Sequence, residues 1–384
     1  MTKKTLCALL LAGLFLFPAA SLAAPLEESP PITLTSPAYL LLDAQTGAVI
    51  FEKNADEKRP VASVTKLMTL LILFEKLDAG DIKLEDSVTV SPTAAGQIGS
   101  QALLDAHAAY PLETLLRAVV VASGNDAAVA LAEYMAGTEE AFAALMNERA
   151  QALGLANTAY KNCTGLPAEG QFTTARDVGA LSCELAKHKA LFQYSSVWLG
   201  TLTHPSGRTT DLTNTNRLVR FYSGCDGLKT GSTNEAKYCV SATASRGDMR
   251  LIAVVLGAPT SQTRFDEARA MLDYGFATYS RVEIMKQGEP VPVSVPVTLG
   301  AQDMVGVTPE ETIALLLKSG WQKRLKIEYA LKESVAAPIK KGDDLGEIIL
   351  LLDGKIIAKT PALAFENVPL PGFLNGLYRL ITNR

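Results

Sequence analysis

The sequence predicts a mixed α/β (α+β) domain carrying an inserted helical block, then a small all-β domain and a short amphipathic helix at the C-terminus. Three observations carry this prediction. Apolar strand patterns stand at both ends of the first 280 residues, early at 39–43 and late at 251–256. An alanine-rich helical pattern fills 112–153 between them. After Ser280 the period changes to two, with Val291, Val293, Val295 and Val297 alternating with Pro292, Ser294, Pro296 and Thr298. At 384 residues the chain exceeds what one hydrophobic core usually spans, so two domains are expected.

Taken in order, Lys3 and Lys4 precede an apolar run at 6–17 and the small residues Ala19, Ala20, Ser21, Ala23 and Ala24. This is the layout of a secretory signal peptide over 1–23, cleaved after Ala23, and it places the protein outside the cytoplasm. A short N-terminal anchor is the alternative. Removing the signal takes away two lysines and leaves 34 basic against 40 acidic side chains, a net charge of −6. Residues 24–36 are rich in Pro, Glu and Ser and read as a linker. A hairpin follows, 39–43 and 48–51 around Gln45-Thr46-Gly47. Leu67, Leu70, Leu71 and Phe74 then mark one face of a helix that ends near Gly80. Residues 88–90 form a short strand in an otherwise irregular stretch. The helical block has one break, at Ser123-Gly124-Asn125-Asp126. Thr174-Ala175-Arg176-Asp177 is a capping box opening a helix to about Lys187. Strands are expected near 199–202, 227–230, 238–244 and 251–256, and a helix at 264–279, closing a first domain over 37–280. The second domain, 281–370, has Asp353-Gly354 between two apolar runs, a strong hairpin signal. In 371–384, Phe373, Leu374, Leu377, Leu380 and Ile381 share one helical face. That helix is too short to cross a bilayer, and it lies on a membrane surface, docks on the β domain or is simply frayed.

Composition excludes several classes. No basic run or basic–aromatic interleaving suggests nucleic acid. The three histidines, His107, His188 and His204, form no zinc motif. Cys7 leaves with the signal. Cys163, Cys183, Cys225 and Cys239 are too widely spaced for a C-x-x-C site. No metal and no cofactor is expected. Cys225 and Cys239 facing each other across a hairpin, or four buried thiols, are equally open. No G-x-S-x-G elbow is present.

The chemistry lies in three short motifs. Ser63 and Lys66, three residues apart at a helix mouth, share a face, so the lysine amine reaches the serine hydroxyl. A serine needs such a base, and a lysine serves as one only if its pKa is lowered. Ser123-Gly124-Asn125 offers a second hydroxyl for proton relay and an amide for a substrate peptide group. Lys229-Thr230-Gly231 ends a strand, where Gly231 lets a substrate backbone lie alongside and Lys229 and Thr230 suit a carboxylate. Alone, each is what a helix cap, a helix–helix turn or a strand end also looks like. In this order and in an exported chain they form the set found in β-lactamases and penicillin-binding proteins.

The chain resembles the D-alanyl-D-alanine carboxypeptidases, the low-molecular-mass penicillin-binding proteins. Besides the three motifs, the likeness includes the Asp226-Gly227-Leu228 context, the Met249-Arg250-Leu251-Ile252 strand, the β domain and the C-terminal helix. It implies a serine β-lactamase/transpeptidase-like catalytic domain, with Ser63 as nucleophile, Lys66 as base, Ser123 as proton shuttle and Asn125 orienting the peptide amide. Lys229, Thr230 and Arg264 would hold the terminal carboxylate, and the N–H groups of Ser63 and Ser232 would form the oxyanion hole. Asp177 matches a structural position near the site. Many members have histidine where this chain has Ser232. The cations Lys66, Lys229 and Arg264 together would depress the Lys66 pKa. Implied partners are peptidoglycan pentapeptide stems ending in D-Ala-D-Ala, β-lactams acylating Ser63, and a membrane surface under the C-terminal helix, with the β domain as pedestal. The alternatives are a serine β-lactamase, disfavoured because no Glu-x-x-Leu-Asn stretch is present, a wall endopeptidase, or an inactive wall-binding scaffold.

Overall fold

The computed structural model describes Leu26 and residues 32–372. The expected signal peptide over 1–23, most of the expected linker and residues 373–384 of the expected amphipathic helix lie outside the described residues.

A five-stranded antiparallel sheet forms the middle of the first domain, in the order Val49–Lys53, Ala38–Asp43, Met249–Ala258, Lys237–Arg246, Cys225–Thr233. The first strand of the chain is buried along its whole length because both faces of the sheet are covered. Leu40 and Leu42 face the helical block, together with Ile252, Val254 and Leu256. Tyr39 and Leu41 face the other way, with Leu251, Ala253 and Val255, against the long helix Ser261–Thr278. Of the stretch read as a linker, Ile32 and Leu34 pack against that second layer, and the N–H groups of Ser36 and Thr35 bond the buried Glu267 carboxylate of the long helix.

The helical block has two breaks where the sequence suggested one. Its helices are Leu112–Ala122, Asn125–Ala136 and Glu139–Ala152. The second break falls at Gly137-Thr138, where the Thr138 side chain accepts the Ala141 N–H and starts a new helix. Thr174 likewise caps Ala175–Lys187 through the Asp177 N–H, as its capping box indicated. Phe142 is fully buried in the core that this block shares with the sheet. Phe142→Ala is expected to cost about 3–5 kcal/mol. It should lower the melting temperature of the first domain by on the order of 10 °C, read by calorimetry; a shift under about 2 °C would show that the block contributes little.

The strand Leu199–Thr203 pairs with Thr209–Thr213, a partner that the sequence hid because it carries one apolar residue, Leu212. Cys225 and Cys239 do not face each other. Cys225 stands opposite Ala244 and Cys239 opposite Gly231, and all four described cysteines are free thiols.

The long helix leads into Tyr279–Met285, which pairs with Ile313–Lys318 and joins the domains. Beyond it lies a six-stranded sheet in the order Leu325–Leu331, Asp344–Leu352, Lys355–Ala364, Met304–Pro309, Ser294–Thr298, Val335–Ala336. The hairpin turns at Asp353-Gly354 as expected. Only the second half of the valine alternation lies in its strand, with Val295 and Val297 buried alongside Val305, Val307, Ile348 and Leu350.

Candidate active site

Ser63 sits in a single 3-10 turn, Ala62–Thr65, which runs directly into the α-helix Lys66–Ala79. The nucleophile candidate therefore precedes the α-helix, and the lysine is its first residue. Ala62, just before the serine, has a left-handed φ of 50°. Such backbone costs an alanine about 1–2 kcal/mol and persists where surrounding contacts impose it. Those contacts come from two glycines. A Cβ on Gly231 would meet the Val61 carbonyl oxygen at 2.3 Å and the Ser63 nitrogen at 2.9 Å. One on Gly165 would meet the Ala62 carbonyl oxygen at 2.0 Å. The serine turn is thus clamped between the Lys-Thr-Gly strand and the loop carrying Gly165. The side chain of Ser63 itself remains partly exposed.

Lys66 is fully buried. Its Nζ lies 3.0 Å from Ser63 Oγ, 2.6 Å from Asn125 Oδ1 and 2.7 Å from the Thr164 carbonyl oxygen. Two of these partners are pure acceptors and the third is a hydroxyl. A neutral amine has two N–H bonds and one lone pair. As an ammonium the lysine donates to all three; once it has lost a proton, two N–H bonds serve Asn125 and Thr164 and the lone pair is free for the serine hydroxyl. Burial pushes Lys66 down to about 7, opposed by the nearby Cys163, Asp126 and Glu139. Burial, and not the cluster of cations that the sequence suggested, carries this depression. The cations act on Lys229, which burial first, then Lys66 and Arg264, push well below the usual lysine range. Two amines in one buried site cannot both hold a proton without cost.

Ser123 is the left-handed residue, φ 62°, between two helices, and its Oγ accepts from Lys229 Nζ at 2.7 Å. Lys229 also donates to the Thr230 carbonyl oxygen. Asn125 is held at both ends, its Oδ1 by Lys66 and its Nδ2 donating to the Ile98 carbonyl oxygen at 2.6 Å. Thr230 Oγ1 donates to Thr215 Oγ1 at 2.7 Å. Arg264, also buried, donates Nη1 to the Gly231 and Cys239 carbonyl oxygens and holds the strand end in place. Burial lowers it to about 10. Ser232 is exposed at the strand edge. Asp177 accepts from the Asn157 N–H and the Thr158 hydroxyl, tying down the start of the loop that carries Thr164, a structural task as expected.

The site also contains groups that the sequence did not point to. The Thr164 and Ile98 carbonyls are backbone atoms and carry no residue signature. Asp126 is fully buried and accepts from the Ala102, Leu104 and Ala127 N–H groups, which fixes the loop presenting Ile98. Its place directly after Ser-Gly-Asn, in the first turn of a helix, was a signal available to be read. Glu139 accepts from the Cys163 N–H and thiol and so braces the residue before Thr164. Among the described residues no group of three or more His, Cys, Asp or Glu could hold a metal ion.

A partly exposed serine hydroxyl within hydrogen-bond reach of a buried lysine, beside a sheet with helices on both faces, is the arrangement of a serine acyl-transfer enzyme that uses an amine as its base. Comparison with known proteins makes the class specific. Residues 24–260 match the family model described as D-alanyl-D-alanine carboxypeptidase, peptidase S11. Residues 279–370 match the C-terminal domain of penicillin-binding protein 5. The D-alanyl-D-alanine carboxypeptidase DacF of Bacillus subtilis is 40% identical over 341 residues, 88% of this chain and 87% of that protein. DacC of Escherichia coli is 37% identical over 384 residues, 96% of this chain and 93% of that one. Penicillin-binding protein 5 of Haemophilus influenzae superposes with a TM-score of 0.80 at 30% identity, covering 89% of this chain and 99% of that one. The chain belongs to the D-alanyl-D-alanine carboxypeptidase family of penicillin-binding serine peptidases.

Proposed function

We propose that this carboxypeptidase works through Ser63 and Lys66 on wall peptide stems ending in D-Ala-D-Ala. The observation that carries the assignment is the buried Lys66 amine 3.0 Å from Ser63 Oγ, with Asn125 and Thr164 to hold its two remaining N–H bonds when it is neutral. The stem lies along the edge of Cys225–Thr233 as an added strand, a mode that needs the glycine at 231. Its terminal carboxylate sits against Lys229 and Thr230, and its arrival stabilises the ammonium form of Lys229. Arg264 supports this subsite by holding the Gly231 carbonyl oxygen.

Ser63 Oγ attacks the carbonyl of the penultimate D-Ala while its proton passes to Lys66 Nζ. The oxyanion is held by the backbone N–H groups of Ser63 and Ser232, donors that are worth about 3 kcal/mol each. When the C–N bond breaks, Ser123 gives its proton to the leaving D-Ala nitrogen and takes one from the neighbouring lysines. The ester on Ser63 is then attacked by water, whose proton goes to Lys66 and from there back to Ser63 Oγ. The chain's departure at Ser232 affects only the side chain there, since the N–H group is independent of it. Asn125 turns its amide from Ile98 to the substrate peptide group while keeping Lys66 as partner.

The same reading includes export and attachment to the outer face of the cytoplasmic membrane, supported by the lysines, apolar run and small residues of 1–23 and by the one-sided apolar pattern of 373–384. No helix among the described residues is long and apolar enough to cross a membrane. The long helix Ser261–Thr278 has Arg264 at its site end and Tyr279 at the β domain. The 15 residues from one to the other separate them by about 22 Å, which suits a pedestal.

Intact mass after incubation with benzylpenicillin tests the assignment. The expected result is a persistent one-to-one adduct that maps to the Ser63 peptide, accompanied by D-Ala release from a stem peptide in untreated enzyme. Penicillin consumed with no lasting adduct would make the protein a β-lactamase, and neither adduct nor consumption would leave a binding protein.

A further inference from the structure

A groove of about 350 Å³ lies behind the Lys-Thr-Gly strand, between the short helix Leu218–Phe221 and the first half of Ser261–Thr278. Arg217, Phe221, Phe265, Asp266 and Arg269 line it. Phe221 is 54% exposed, an unusual state for a phenylalanine. Trp198 meets it edge-on at 6.0 Å, and the Arg220 guanidinium lies within 6.0 Å of both rings. Arg217 stands 6.0 Å from the Phe221 ring, and Arg269 donates to the Phe221 carbonyl oxygen. None of Arg217, Arg220 and Arg269 is among the ion pairs of the described residues. The one carboxylate of the groove, Asp266, is bonded to Gln262. Three uncompensated arginines around an exposed aromatic thus stand on a chain whose net charge is negative.

The groove is tied to the active site at two points. Arg217 follows Thr215, which accepts from Thr230 of the strand. Gln262, Phe265 and Asp266 share one end of a helix with Arg264, which holds Gly231. The same end is the one farther from the β domain.

We propose that this groove is a second subsite for the wall polymer, gripping the peptidoglycan strand that carries the stem being trimmed. Resting on the proposed function, it gives the enzyme a preference for polymer over free peptide. An aromatic face suits the apolar side of a sugar ring, and the arginines suit the free carboxylates of the peptides that the strand bears. Neighbouring stems on one strand supply such carboxylates beyond the one at the cleavage site.

The test compares the full-length protein with Arg217→Glu/Arg220→Glu and with Phe221→Ala, measuring co-sedimentation with purified insoluble peptidoglycan in a Ser63→Ala background. The expected result is pelleting about tenfold weaker for each variant. With Ser63 intact, benzylpenicillin acylation and kcat/KM on a short D-Ala-D-Ala tripeptide should stay within about twofold, which also reports a folded site. Unchanged pelleting would overturn the proposal. So would variants that keep peptidoglycan binding but lose co-sedimentation with anionic phospholipid vesicles, since the groove would then serve a lipid surface. Failure of the unmodified enzyme to be acylated would instead overturn the catalytic assignment, and the sedimentation result would still stand as a measurement of the groove.

Discussion

Lys66→Met is expected to slow acylation of Ser63 by benzylpenicillin by roughly 10²–10⁴-fold, the range that general-base catalysis supplies. Methionine keeps nearly the same length and fits a fully buried position, so the helix Lys66–Ala79 and the serine turn stay in place. What disappears is the lone pair 3.0 Å from Ser63 Oγ. The unmodified enzyme provides an independent check through pH. Folding lowers the lysine pKa, to about 7, so the catalytically useful free amine is the minor form below that pH and the major form above it. Acylation should therefore rise with pH through a midpoint near 7 and be about tenfold slower at pH 6 than on its plateau. Lys66→Arg should not rescue activity, because a guanidinium keeps its proton at any working pH. Stopped-flow acylation between pH 5.5 and 9 reads all three. A flat profile, or a methionine variant within tenfold of the unmodified enzyme, would remove Lys66 from the role of base.

The side chains of the proposed machinery stood out in the sequence because their spacing is local. Ser63 and Lys66 are one turn apart, Ser123 and Asn125 flank one turn, and Lys229 to Ser232 are consecutive. Local geometry converts such spacing into proximity without knowledge of the fold. The groups that tune them were not legible, since they arrive from distant segments. Asn125 reaches Lys66 across 59 residues and the Thr164 carbonyl across 98. Nothing in the residue name Thr164 says that its backbone oxygen is the one used. The cause of the Lys66 shift was misjudged for the same reason. Counting cations in a sequence gives charge, whereas burial depends on how completely the helical block closes over the lysine. In the fold, strongly patterned elements such as 39–43 and 251–256 were clear, while Thr209–Thr213 has too few apolar residues to announce itself and forms because Leu199–Thr203 lies beside it.

Gly231→Ala is the substitution expected to do most damage for the fewest atoms. The added methyl would stand 2.3 Å from the Val61 carbonyl oxygen and 2.9 Å from the Ser63 and Val64 nitrogens. All three are backbone atoms of the serine turn, so no side chain can swing aside to relieve the contact. Either the strand Cys225–Thr233 or the turn Ala62–Thr65 must move by several tenths of an ångström or more. Each carries half of the site: the strand holds Lys229 against Ser123 and presents Gly231 to Arg264, and the turn holds Ser63 against Lys66. A misplacement near 1 Å between reacting groups costs on the order of 10²-fold, and the proposed oxyanion donors, the Ser63 and Ser232 N–H groups, lose alignment together. The expected result is acylation slower by about 10²–10³-fold. Gly200→Ala is the control, because its added methyl meets only a Val197 methyl at 4.0 Å and should leave both acylation and melting temperature unchanged. Acylation of Gly231→Ala within threefold of the unmodified enzyme would show that the two halves of the site have slack between them, and that the close approach of strand and turn does not set the reacting geometry.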